Sequence, residues 1–177
     1  MPPLIPPTIE TERLRLRRLT MDDLEALHSI QSDPVHMRFY PHPFSLDESR
    51  AWIERMQARY DEVGFALLAV DDRVTGAFLG NVGPHLQHVD DVDEVELGWS
   101  ITPTRARQGI ATEAAIACRD WAFATLDIDH VISLILPENA PSRGVAERLG
   151  MVVWKDVLWG SQQPRVHHVY RLDRPEA

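Results

Sequence analysis

Between Phe65 and Thr102 the chain carries three apolar segments, "FALLAV", "GAFLGNVGPHL" and "DEVELGWSIT", joined only by "DDRVTG" and "QHVDDVD". Connections this short cannot contain the helical crossover that parallel neighbours need, so these strands must run antiparallel. The second connection, acidic and containing a histidine, reads as an exposed loop. Upstream, Leu14 and Leu16 alternate with Arg13, Arg15 and Arg17, the period-two pattern of a half-buried strand. Thr20 is placed to cap a short helix in "MDDLEALHSIQSD". Ser45 is placed to cap a longer one, in which Trp52, Ile53, Met56 and Tyr60 fall at helical spacing before Gly64. Downstream come an alanine-rich helix through about Leu126, a buried strand "HVISLIL", a compact helix "NAPSRGVAERLG", and two strands flanking "GSQQP". This order predicts an α+β fold, a central, mostly antiparallel twisted sheet of about seven strands with four helices packed on it.

The 177 residues, 44% of them hydrophobic, suit one domain spanning 1–177, with a proline-rich extended arm at 1–8 and a frayed tail at 174–177. Net charge is −9, with 27 acidic against 18 basic residues, which disfavours nucleic acid and anionic membranes and favours a cationic substrate. No segment approaches the roughly 20 apolar residues of a membrane span. The single cysteine, Cys118, has no disulfide partner and the N-terminus lacks the pattern of a secretion signal, so a cytoplasmic protein is expected, as monomer or homodimer.

The stretch "RARQGIATEAA", residues 105–115, places basic residues and Gly109 at the start of the alanine-rich helix. A helix N-terminus exposes unpaired amides and a partial positive charge, which suits an anion. Read alone, the stretch is equally a basic turn. Other phosphate motifs fit worse, since neither a G-x-x-x-x-G-K-[ST] nor a G-x-G-x-x-G sequence is present.

Three segments in order, "TERLRLRRLTMDDLEALHSIQSDP", "VELGWSITPTRARQGIATEA" and "PENAPSRGVAERLGM", make the chain resemble the Gcn5-related N-acetyltransferases, particularly their ribosomal-protein alanine acetyltransferase-like subgroup, over roughly residues 9–155. The resemblance implies acetyl-coenzyme A as acyl donor. It implies that the main-chain amides of Arg107, Gln108, Gly109, Ile110, Ala111 and Thr112 hold the pyrophosphate. Ala106 stands where the family often has Arg or Gln, a change that a backbone cradle tolerates. Trp99, Ser100 and Ile101 match the strand edge that pairs with the pantetheine arm, and Asn139 and Ser142 match the second coenzyme-binding element. Relatives outside the subgroup often use a tyrosine as the acid a few residues later. Here that region is "RGVAERL", which leaves Ser142 for the role. The irregular segment "SDPVHMRFYPHPF", with Phe39, Tyr40 and Phe44, corresponds to the part of the family that shapes the acceptor pocket.

Acetyl transfer to an amine needs the nitrogen neutral, close to the thioester carbon, and an oxyanion stabilised. Glu96 is the candidate base by resemblance, and strand alternation puts Glu94, the reserve, on the same face with Gly98 and Ser100. Cys118 follows Ala111, Ala114 and Ala115 at helical spacing and reads as a packing residue, so direct transfer in a ternary complex is expected instead of an acetyl-cysteine intermediate. His85 and His88, with Asp90 and Asp91, make only a weak metal pattern, and no metal is expected. The competing function is a non-catalytic acyl-CoA-binding module.

Overall fold

The computed structural model describes residues 8–161 and 163–176; the expected arm at 1–8, apart from Thr8, lies outside the described residues, as does Ala177 of the tail. In chain order the elements are β1 (Ile9–Glu10), β2 (Leu14–Arg17), a 3-10 turn (Met21–Asp23) running into α1 (Leu24–Gln31), a 3-10 turn (His36–Phe39), and α2 (Leu46–Glu62). The meander follows as β3 (Leu68–Asp72), β4 (Phe78–Val89) and β5 (Val92–Ile101). A 3-10 turn (Pro103–Arg105), α3 (Ile110–Thr125), β6 (His130–Ile135), α4 (Ala140–Arg148), β7 (Val152–Trp159) and β8 (Arg165–Asp173) complete the chain.

The strands form one eight-stranded sheet in the order β1-β2-β3-β4-β5-β6-β8-β7. All neighbours are antiparallel except β5 and β6. The extra strand is β1, whose Ile9 faces Leu16. Two residues are too few for alternation to mark them in sequence. A second difference lies between β4 and β5: the ladder is regular from Gly80 opposite Ile101 to Val89 opposite Val92, so the supposed loop is paired strand. Only Asp90 and Asp91 turn, at φ 49° and 63°. Aspartate is among the few non-glycine residues that enter the left-handed region readily, and two in succession close a tight hairpin. The tail also begins attached: the Arg174 amide donates to Asp129 O at 2.7 Å and its guanidinium to Leu126 O at 2.8 Å.

Capping follows the sequence. The Ser45 hydroxyl accepts from the Glu48 amide, the Glu48 carboxylate accepts from the Ser45 amide, and Thr20 forms the same reciprocal box with Asp23. The apolar face of α2 buries Ile53, Met56 and Tyr60. Tyr60 accepts from the Leu19 amide at 3.2 Å and donates to Leu67 O, which satisfies a hydroxyl that is otherwise shut away from water. On α3, Ala114, Ala115, Cys118 and Ala122 are fully buried, so small side chains let the helix lie close against β4 and β5. Burial pushes the Cys118 thiol up to about 12, far from the thiolate that nucleophilic catalysis needs.

A charge cluster ties the start of the chain to the meander. Arg17 of β2 contacts Asp23 and Asp71, each at 2.7 Å. Burial opposes the ionised Asp23, but Arg17 and the Thr20 amide outweigh it, and its pKa falls below the ordinary carboxylate value. A depressed carboxylate contributes stability above its unfolded pKa and loses it as pH falls through the folded one. Because Arg17 keeps Asp71 as a partner, Asp23→Ala is expected to cost about 2–3 kcal/mol at pH 7, the scale of hydrogen bonds to charged groups. Denaturant titrations should show that deficit shrinking below about pH 3; an equal deficit at both pH values would contradict the electrostatic origin.

Candidate active site

The parallel ladder of β5 and β6 has a single register pair, Glu96 opposite Ile132, and beyond it the strands part. Between them opens a cleft of about 380 Å³. Its walls come from β5, β6, the start of α4 and the irregular segment after α1. Because β5 alternates, Val95 and Leu97 join the core while Glu96, Gly98 and Ser100 take the opposite face.

Glu96 sits at the apex of the parting and is 8% exposed. Its Oε1 accepts from the Leu134 amide of β6 at 2.9 Å. Its Oε2 accepts from Gln87 Nε2 at 3.1 Å and lies 3.2 Å from His85 Nε2, both on β4. Burial would raise the pKa of this carboxylate, but His85, the Leu134 amide and Gln87 outweigh it and hold the value low. Beside it the Ser133 hydroxyl donates to Leu97 O at 2.7 Å. Two side chains thus span a gap that the ladder leaves open.

Glu94, the reserve candidate, is elsewhere. It accepts from His130 Nε2 at 2.8 Å in a separate acidic depression formed with Asp127, Asp129 and the start of the tail. Glu96 is the only carboxylate among the described residues lining the cleft.

Phe39, Tyr40 and Phe44 all line the cleft, together with Met37 and Trp52. Tyr40 is 48% exposed, yet its hydroxyl end lies among the cleft walls, and that burial, then the Glu96 charge, raises the phenol pKa. Asn139 and Ser142 line the opposite end, where Asn139 Oδ1 accepts from the Ser142 amide at 3.2 Å. Asn139 is therefore a helix cap and a cleft residue at once. Trp99 and Ser100 also line the cleft; Ile101 ends the strand just outside it. All three pair with β4 on one side and, past Glu96, with nothing in β6 on the other. That free edge offers unpaired peptide groups to an extended, amide-containing ligand.

Residues 107–112 lie outside the cleft walls, beyond the end of β5. Arg107 and Gly109 adopt φ of 63° and 75°, and the first main-chain bond into α3 is from the Glu113 amide to Gly109 O at 2.9 Å. Among the described residues no acceptor meets the amides of Gln108, Gly109, Ile110, Ala111 or Thr112. Left-handed residues interspersed with right-handed ones curl successive N–H groups into a nest, and the nest sits on a helix N-terminus. An added Cβ at Gly109 would meet only Arg13 Nη2 at 3.5 Å, so the space above the glycine is open to a ligand. Arg105 is engaged with Asp72 and Gln108, while Arg107 is exposed. Arg148 of α4, bonded to Thr112 Oγ1 at 3.2 Å, adds a cation at the nest's mouth.

Sequence reasoning missed the roles of His85, Gln87, Arg148 and the His36–Ser100 contact of 2.8 Å. Only the hairpin register, which puts His85 opposite Glu96 and Gln87 opposite Glu94, could have indicated the first two. His88, weighed as a metal ligand with His85, instead faces Asp93 at 2.8 Å. His167 lines the cleft while His168, on the other face of β8, bonds Asp156.

A family model described as the acetyltransferase (GNAT) domain matches residues 13–152. An uncharacterised protein of Bacillus subtilis, YkkB, is 32% identical over 142 residues, covering 80% of this chain and 83% of its own. The chain belongs to the GNAT family. The crystal structure of an acetyltransferase from Agrobacterium tumefaciens agrees with it: 33% identity, TM-score 0.81, and 95% of each chain covered. RimJ of Mycobacterium smegmatis, in complex with CoA-disulfide, has the same fold at 18% identity and a TM-score of 0.76, over 98% of this chain and 90% of its own. The protein is thus an acetyl-CoA-dependent N-acetyltransferase with the GNAT fold expected from its motifs.

The nest suits the diphosphate of the family's cosubstrate, since five amides and two nearby guanidinium groups offer donors and positive charge without a required side-chain geometry. Gly109→Glu puts a carboxylate in that space and forces a side chain into the left-handed region. Titration calorimetry should show coenzyme A affinity reduced at least about tenfold in a protein with wild-type circular dichroism, from charge and steric exclusion combined. Unchanged affinity would exclude the nest as the phosphate site.

Proposed function

We propose that the protein transfers the acetyl group of acetyl-CoA to a primary amine by direct attack in a ternary complex. The observation that carries this reading is the alignment of a nest of unpaired amides, an unpaired strand edge and a cleft whose only described carboxylate is Glu96. In this reading Arg107, Gln108, Gly109, Ile110, Ala111 and Thr112 hold the diphosphate through their amides. Trp99, Ser100 and Ile101 pair with the pantetheine arm. Asn139 orients that arm, and the Ser142 hydroxyl, which has no partner among the described residues, lies at the cleft end suited to protonating the leaving thiolate.

The acceptor enters past Phe39, Tyr40 and Phe44, and its proton leaves toward the Glu96 centre. It is a protein N-terminal amine, as in the ribosomal-protein subgroup, or a small-molecule amine. The net charge of −9 favours a cationic one through long-range attraction. The site of action is the cytoplasm; among the described residues no helix is long and apolar enough to cross a membrane.

The decisive test is release of free thiol from acetyl-CoA across a panel of peptides and small amines. Glu96→Gln should lower kcat by at least about 100-fold on any accepted amine, the scale of general acid–base contributions, with coenzyme A affinity nearly unchanged. Coenzyme binding without turnover on any amine would favour the non-catalytic acyl-CoA-binding module.

A further inference from the structure

We propose that His85, not Glu96, is the group that takes the proton from the acceptor amine, and that Glu96 is its positioning carboxylate. This rests on the acetyl-transfer reading above and names the reacting atom within it.

The oxygens of Glu96 are largely engaged. Oε1 receives the Leu134 amide across the gap, and Oε2 faces both Gln87 Nε2 and His85 Nε2. Three of the roughly four lone-pair sites of the carboxylate thus face donors, which stabilises its ionised form and lowers its affinity for a further proton. The imidazole is in the opposite condition. Its Nε2 lies 3.2 Å from Glu96 Oε2, while its Nδ1 is buried and has no hydrogen-bond partner among the described residues. An ionised carboxylate facing Nε2 favours the tautomer protonated there, which leaves the Nδ1 lone pair as the acceptor. A buried polar atom without a partner costs about 1–3 kcal/mol, so a bound group that supplies a proton to it gains that energy back.

The surroundings of the ring agree with this role. Its Cε1–Nδ1 edge lies over Gly98 on the cleft face of β5, where an added Cβ would come within 3.2 Å of Cε1 and 3.5 Å of Nδ1. Any residue but glycine would crowd that edge. The charged group in contact with the ring is Glu96 from β5; Tyr40, from the segment after α1, feels that same carboxylate, and Arg165 and His167 of β8 line the same cleft. On the α2 side, Arg59 is bonded to the neighbouring Leu86 carbonyl at 3.4 Å.

In the reaction, the acceptor ammonium gives one proton to His85 Nδ1, forming an imidazolium paired with Glu96. The neutral nitrogen then forms the new C–N bond to the thioester carbon. When the C–S bond breaks, the electron pair leaves with sulfur, and the second nitrogen proton passes to the thiolate through Ser142. Release of the His85 proton to solvent completes the balance, an ammonium and a thioester becoming an amide, a thiol and one proton.

The test uses the full chain, an accepted amine and pH profiles of kcat/KM. His85→Gln keeps an amide near Nε2 and lacks the basic nitrogen; it should lose at least about 100-fold in kcat with coenzyme A affinity unchanged, and the acid limb of the profile should disappear. Glu96→Gln should keep an acid limb, displaced to lower pH because the imidazole has lost its negative partner. The reverse pattern, a limb that survives in His85→Gln and vanishes in Glu96→Gln, would overturn the assignment, as would His85→Gln activity within threefold of wild type. Should His85→Gln not fold, 15N-histidine spectra of the wild-type protein decide: His85 protonated at Nε2 and titrating with the acid limb supports the proposal, and a ring titrating elsewhere refutes it. Wild-type protein that binds acetyl-CoA but acetylates no amine would remove the acetyl-transfer reading and this proposal together, whereas the failures above remove only the role of His85.

Discussion

The parting of β5 from β6 is the constraint on which the rest of this molecule depends. A parallel ladder that ends after one register pair leaves peptide groups facing a gap, and such groups must find partners or stay reachable by a ligand. Near the apex the protein supplies partners itself, from the Glu96 carboxylate and the Ser133 hydroxyl. Farther along it leaves the edge of β5 open. The same divergence sets α4 and the segment after α1 on either side of the opening, so cleft and unpaired edge arise from one departure from regular sheet geometry.

The two ends of the site are built from different materials. At the nest, the groups available to a ligand are main-chain amides held in place by two left-handed residues and by the first turn of α3, whose buried alanine face anchors it to the sheet. In the cleft they are side chains: aromatic rings from an irregular segment, and a polar group, Glu96, His85 and Gln87, carried on two paired strands. The first end suits the charge and shape of a generic anion. The second has the chemical detail to tell one amine from another.

How much of this was legible in the sequence depended on whether the cause was local. Caps at Thr20 and Ser45, the alternation of Leu14 and Leu16, and the small buried face of α3 follow from neighbouring residues, and all were readable. The strand β1 was too short to carry a period, and the Asp90–Asp91 turn was hidden because acidic residues resemble a solvated loop. The contact of His85 with Glu96 depends on hairpin register, which the misread turn obscured. Arg148 reaches Thr112 from 36 positions away, and no local pattern foretells that.

A binding surface made of main chain has a consequence for how such a protein can change. Most coding substitutions at Gln108, Ala111 or Thr112 replace a side chain and leave the amide where it was, provided the helix still forms and Ile110 keeps its place in the core. In the proposed reading, the grip on the donor is therefore insulated from much of the variation that mutation supplies, with Gly109 as the exposed point. The aromatic wall of the cleft has no such insulation, because every substitution at Phe39, Tyr40 or Phe44 reshapes it. One chain architecture can thus exchange its acceptor repeatedly while the machinery that presents the acetyl group is inherited intact.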